Sequence, residues 1–187
     1  MPRSASKKTA FAVDRTIALV GMMWAGKTTI GRRLARALAL PFKDADEEIE
    51  RAAGMSVAEL FAAHGEESFR RGEAQVIERL LAGPPIVLAT GGGALTAEKT
   101  RTLLHAHALT IWLKADSETL AKRATRRPTR PLLANGDPQA TIERLLAART
   151  ALYEQAAIHI DSSKGPHGET LAVILEALRR HYSTGRS

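Results

Sequence analysis

The chain of 187 residues contains no cysteine. That excludes a disulfide scaffold, a thiol nucleophile and any Cys-ligated zinc or iron–sulfur centre. Aromatic residues make up only 4% of the sequence, too few to supply a row of stacking platforms for single-stranded nucleic acid. No run approaches the ~18 consecutive apolar residues of a membrane-spanning helix. The single asparagine, Asn135, sits in Asn-Gly-Asp, so the N-K-x-D motif that reads guanine in GTPases is missing. Internal repeats and interdomain linkers are absent too. What remains is an ordinary globular composition, 44% hydrophobic and 25% charged, long enough to build one hydrophobic core in one domain. The formal charge of +7 admits nucleic acid as a partner and suits small anionic ligands equally well.

Arg3, Lys7 and Lys8 precede the apolar stretch Ile17–Ala25, which superficially resembles a secretory signal. Asp14 and Arg15 interrupt the approach, and the stretch runs straight into Gly-Lys-Thr-Thr with no small-residue cleavage site. Residues 1–14 are therefore expected to be a flexible basic tail, residues 15–187 a single domain, and the location cytoplasmic. Beyond the tail, short apolar runs alternate with longer helical patterns. Thr16–Val20, Ile86–Ala89, Leu109–Leu113 and Ile158–Ile160 read as buried strands. Helices are expected over Lys27–Leu40, Glu47–Ala53, Val57–His64 behind a Ser56/Glu59 capping box, Glu66–Ala82, from Ser117, over about Pro138–Ala157, and over Glu169–Tyr182. Strands separated by helices predict a parallel sheet of about five strands flanked by helices, an α/β fold.

Gly21-Met22-Met23-Trp24-Ala25-Gly26-Lys27-Thr28 fits G-x-x-x-x-G-K-[ST], and it lies between a predicted strand and a predicted helix. Glycines let backbone N–H groups turn toward phosphates, and the following helix presents its positive dipole end there. Gly21, Ala25, Gly26, Lys27, Thr28 and Thr29 are thus candidates for binding a nucleoside triphosphate. Lys27 would supply a point charge to the β/γ-phosphates, and the Thr28 hydroxyl would ligate Mg²⁺. Trp24 is a large residue where such loops commonly have a small one. Its Cβ either drives the backbone out of a positive φ or is held there under strain.

Three further features point toward a small-molecule kinase. Asp44 and Asp46 follow the short segment Pro41-Phe42. On an extended segment, residues two apart share a face, where one carboxylate could orient the water shell of Mg²⁺ and the other an acceptor hydroxyl. Alternatively they open the acidic first turn of the next helix. Gly91-Gly92-Gly93 follows a strand, at the sheet edge where open α/β folds bind ligands. Arg70 and Arg149 could each place a guanidinium fork on a carboxylate or remain solvated surface charges. Lys122–Pro131 carries five basic residues, no acid and two prolines, which suits a mobile basic lid, about residues 123–137, closing over transferring phosphate.

Together the phosphate loop with Thr-Ile-Gly-Arg-Arg-Leu-Ala after it, Asp-Ala-Asp-Glu-Glu-Ile-Glu, Glu-Ser-Phe-Arg-Arg-Gly-Glu, Ala-Thr-Gly-Gly-Gly-Ala, Arg-Pro-Leu-Leu and Arg-Thr-Ala-Leu-Tyr resemble the shikimate kinase family, in family order over Ile17–Tyr182. The resemblance implies a single-domain P-loop fold like that of nucleoside-monophosphate kinases, and ATP-dependent phosphorylation of the shikimate 3-hydroxyl. It assigns Lys27, Asp46 and Arg130 to catalysis, Thr28 and Asp44 to Mg²⁺ (Asp44 through water), and Arg123 to the adenine ring. Asp46, Arg70, Arg149 and Gly91, Gly92 and Gly93 fall to shikimate, and Asp161–Pro166 to an adenine-binding loop. A monomer working on small molecules is expected, with neither nucleic acid nor membrane as partner. Two rival readings are a gluconate kinase of the same fold and a nucleic-acid-binding P-loop protein.

Overall fold

The computed structural model describes residues 11–126, 137–163, 165 and 167–184. Five strands form one wholly parallel sheet: β1 (Thr16–Val20), β2 (Phe42–Asp44), β3 (Val87–Ala89), β4 (Ala108–Lys114) and β5 (Ile158–Asp161), in spatial order β2-β3-β1-β4-β5. All of β1 and all but the last residue of β4 are buried. Their continuous apolar runs are what a sheet covered on both faces requires. The helices are α1 (Lys27–Leu38), α2 (Ala45–Ala53), α3 (Val57–Leu81), α4 (Glu98–His107), α5 (Ser117–Thr125), α6 (Pro138–Tyr153) and α7 (His167–Thr184). The described residues therefore show the α/β architecture expected from the sequence. No described helix is long and apolar enough to cross a membrane.

Several local outcomes differ from expectation. The two helices predicted on either side of Gly65 run on as one element, broken only at Gly65, whose φ of 74° and ψ of 170° interrupt the helical path. The Ser56/Glu59 capping box is formed at its start. Helix α4 was not expected: only Thr100 and Leu104 of its ten residues are buried, which leaves almost no apolar periodicity to read. Of the two readings open for Asp44 and Asp46, the structure takes the helical one. Asp44 ends β2 and caps α2, its Oδ1 accepting the Asp46 amide at 3.1 Å, and Asp46 lies in the first helical turn. Of the expected tail, residues 1–10 lie outside the described residues, whereas Phe11 stacks on Tyr182 of α7 with ring centroids 5.3 Å apart.

The strand register decides which loops meet. Leu19 of β1 pairs with Ala89 of β3, Asp44 of β2 with the same Ala89, and Val20 with Trp112 of β4. The segments leaving the carboxyl ends of β1, β2 and β3 therefore start at one level on adjacent strands. Those segments are the phosphate loop, the Asp44–Asp46 corner and the triple glycine.

Candidate active site

The phosphate loop leaves β1 at Gly21 and enters α1 through Gly26, whose φ of 96° is open to glycine and costly for any L residue. Trp24 holds a φ of 62°. The loop thus keeps the left-handed turn a glycine would adopt and carries the steric strain of a Cβ there, of order 1–2 kcal/mol. The indole is half-buried and packs against the core. Lys27 is buried, and its ammonium donates to the carbonyls of Gly21 and Met22, both at 2.7 Å. The Thr28 hydroxyl donates to Asp44 Oδ2 at 2.7 Å, so two hard oxygen donors from α1 and β2 lie side by side at the mouth of the loop.

The loop is braced by α5 and by the residue that follows β5. Arg123 of α5 donates through Nη1 to the carbonyls of Trp24 and Ala25, at 3.2 and 3.4 Å, and through Nη2 to that of Ser162 at 2.6 Å. Ser162 Oγ in turn donates to the carbonyls of Ala25 and Lys114, at 3.2 and 3.0 Å. Lys122 to Thr125, the start of the expected lid, belong to α5. Residues 127–136, Arg130 among them, lie outside the described residues, as do Lys164 and Pro166.

The three glycines after β3 each back onto a different partner. A Cβ on Gly91 would stand 2.9 Å from Asp46 Oδ1 and 3.1 Å from Glu73 Oε1. One on Gly92 would stand 2.9 Å from the Met23 amide nitrogen, and one on Gly93 would overlap Arg70 Nη2. A side chain at Gly92 would therefore separate this turn from the phosphate loop, and one at Gly91 or Gly93 would displace the ends of Asp46, Glu73 or Arg70. On its remaining side, the Gly92 carbonyl accepts from Arg149 Nη1 at 3.3 Å and from the Tyr153 hydroxyl at 2.5 Å. The turn thus gathers Asp46, Arg70, Arg149 and the phosphate loop, which sequence placed far apart. A cavity of about 250 Å³ is lined by Met23, Lys27 and Thr28 on one side and by Asp44, Asp46 and Gly92 on the other.

Glu73 is a member of this group that sequence reading missed. It is fully buried and bonds Arg70 Nη1 through Oε2 at 2.7 Å. Burial pushes its carboxyl above the usual carboxylate range; Arg70 pulls it back only in part, and the nearby charges of Asp46 and Glu66 add to the rise. Glu73 Oε1 and Arg70 Nε are buried with no hydrogen-bond partner within the protein. The Arg70 guanidinium also lies 5.2 and 5.7 Å from the ring centroids of Phe69 and Phe61. A sequence signal for Glu73 existed in its i,i+3 spacing from Arg70. Among so many charges on α3 it did not stand out.

A parallel sheet with a phosphate loop at its centre, a carboxylate lining the same cavity as that loop, and two arginines packed on the glycine turn beside it defines a P-loop phosphotransferase acting on a small molecule. Within that class the chain belongs to the shikimate kinase family, whose model matches residues 23–179. It is 53% identical over 167 residues to the shikimate kinase of Bradyrhizobium diazoefficiens, covering 89% of this chain and 81% of the relative. To that of Nitrobacter winogradskyi it is 52% identical over 184 residues, covering 97% and 86%. A solved shikimate kinase from Acinetobacter baumannii in complex with shikimate superposes with a TM-score of 0.85 at 36% identity, over 89% of this chain and 94% of that one. The activity is ATP-dependent phosphorylation of shikimate, a step of aromatic biosynthesis.

Proposed function

We propose that the cavity between the phosphate loop and the triple glycine is where the γ-phosphoryl group passes from ATP to the 3-hydroxyl of shikimate. The observation that carries this is the shared lining: Lys27 and Thr28 on one wall, Asp46 and Gly92 on the other. Backbone N–H groups from Gly21 to Thr29, Ala25 and Gly26 among them, cradle the phosphates, and Lys27 leaves its loop carbonyls for the β/γ-phosphate oxygens. Arg123 is bonded in the plane of its guanidinium, which leaves a flat face for the adenine ring. Asp46 accepts a hydrogen bond from the attacking hydroxyl and orients it. Arg70 and Arg149 hold the shikimate carboxylate, with Gly91 to Gly93 allowing the ring to lie against backbone. Arg130 closes over the transferring group.

The Thr28 hydroxyl and Asp44 carboxylate, 2.7 Å apart, fit Mg²⁺, which prefers hard oxygen donors and keeps several waters. Among the described residues no cluster of three or more acidic or histidine side chains competes for it. Thr28 would hold the ion directly and Asp44 through a water, and the bound ion neutralises charge on the phosphates. The protein acts as a cytoplasmic monomer, with no role for nucleic acid or a membrane.

The test is ADP release by purified protein with ATP and Mg²⁺, with shikimate or gluconate as acceptor. Release dependent on shikimate and absent with gluconate is expected. Equal turnover of both acceptors, or none with shikimate, refutes the reading.

A further inference from the structure

Tyr153 does not itself line the transfer cavity, yet it is fully buried, at 1% exposure. Its hydroxyl is satisfied by one acceptor, the Gly92 carbonyl. Burial pushes its pKa up to about 12, so at neutral pH it is a donor. Arg149 lies one helical turn earlier on α6, on the same face, and sends Nη1 to the same carbonyl at the longer distance of 3.3 Å. The two donors thus share one carbonyl oxygen, whose two lone pairs accept both, and the phenol has the shorter bond. The Tyr153 ring is fixed in turn by Trp112, stacked at 5.9 Å between centroids and 29° between planes. Trp112 pairs with Val20, and its Cδ1 is 3.3 Å from where a Cβ on Gly21 would stand. The hydroxyl is therefore anchored to the root of the phosphate loop while it holds the turn that faces the acceptor.

We propose that Tyr153 is a positioning residue for the acceptor: it keeps the Gly92 carbonyl hydrogen-bonded when the Arg149 guanidinium leaves it to take the shikimate carboxylate. A guanidinium has five N–H donors but a single planar orientation. With the phenol gone, Gly92 would be left with Arg149 as its partner, and a buried carbonyl does not readily surrender its last hydrogen bond. Arg149 would then remain on the backbone, turned from the ligand. This inference rests on the assignment of Arg149 to the carboxylate, and the experiment separates the two.

Shikimate affinity is measured by calorimetry, and KM and kcat by ADP release, for the wild type, Tyr153→Phe, Arg149→Ala and the double variant. Phenylalanine keeps the ring on Trp112, and unchanged ATP KM reports an intact phosphate loop. Tyr153→Phe is expected to weaken shikimate binding about tenfold, the scale of one net hydrogen bond between buried partners, with ATP KM unchanged. In the Arg149→Ala background the same change is expected to add nothing, because the two residues act as one unit. Full additivity, or a rise in ATP KM equal to that for shikimate, makes Tyr153 a merely structural residue and overturns the proposal. Wild-type shikimate affinity in Tyr153→Phe overturns it as well. Wild-type affinity in Arg149→Ala would instead remove the underlying assignment of the carboxylate.

Discussion

Replacing Gly92 by alanine tests whether the triple glycine sets the distance between donor and acceptor. Gly92 does not use a positive φ, so alanine can adopt its backbone and the effect is steric alone. The new methyl carbon would stand 2.9 Å from the Met23 amide nitrogen and 3.6 Å from the Met22 carbonyl carbon. Ordinary contact begins near 3.4 Å, so the turn and the phosphate loop must separate by about half an ångström. Both sides are backbone. Neither can yield as a flexible side chain would, and overpacking of this kind costs about 1–3 kcal/mol of stability. A reacting geometry displaced by ~1 Å loses about a hundredfold in rate, so half that displacement predicts a kcat roughly tenfold down. Gly93→Ala is the internal contrast. Its methyl meets the movable end of Arg70, so the loss should fall on shikimate KM and leave kcat largely intact. Initial rates with each substrate varied in turn would show the split. A Gly92→Ala enzyme with wild-type kcat, at full thermal stability, would refute the claim that this turn spaces the two half-sites.

Arg70→Ala and Arg149→Ala should each raise shikimate KM by roughly 10- to 150-fold, the range that about 1.5–3 kcal/mol for a hydrogen bond to a charged group converts to; unchanged values would place the carboxylate elsewhere. Asp46→Asn preserves shape and removes the acceptor charge. It should abolish turnover while ADP still binds, and near-normal turnover would take Asp46 out of the mechanism. Trp24→Gly and Trp24→Ala both delete the indole, but only glycine escapes the penalty at a φ of 62°. The glycine variant should therefore be more stable than the alanine variant by about 1 kcal/mol, or some 2–4 °C in Tm for a domain of this size. Equal melting would mean that the loop relaxes when the tryptophan is lost.

Where a feature is written locally, the sequence could be read. The phosphate loop needs only a strand, a glycine-bounded turn and a helix in direct succession, and all three lie within Thr16 to Leu38. The triple glycine was recognisable as a place of close approach, though not what approaches: Asp46, Met23 and Arg70 come from three other elements. Strand β2 is three residues long and half-buried throughout, so it has neither the length nor the alternation that marks a strand. The helix after it begins one residue past Asp44, which decides between the two readings of the carboxylate pair in favour of a cap and a first-turn residue. Glu73 is one acid among several on α3. What sets it apart, complete burial against Arg70 and Gly91, is a tertiary fact.

Groups scattered along the chain are proposed to form one pocket spanning a nucleotide and a carboxylated, hydroxylated ring. A crystal structure with ADP and shikimate bound together tests this proposal most directly. The expected complex has the shikimate carboxylate on Arg70 and Arg149, a ring hydroxyl on Asp46, the ring against Gly91 to Gly93, and the β-phosphate on Lys27. Shikimate bound away from Asp46, for example in the groove between Arg71 and Lys99 on the outer flank of Arg70, would contradict it.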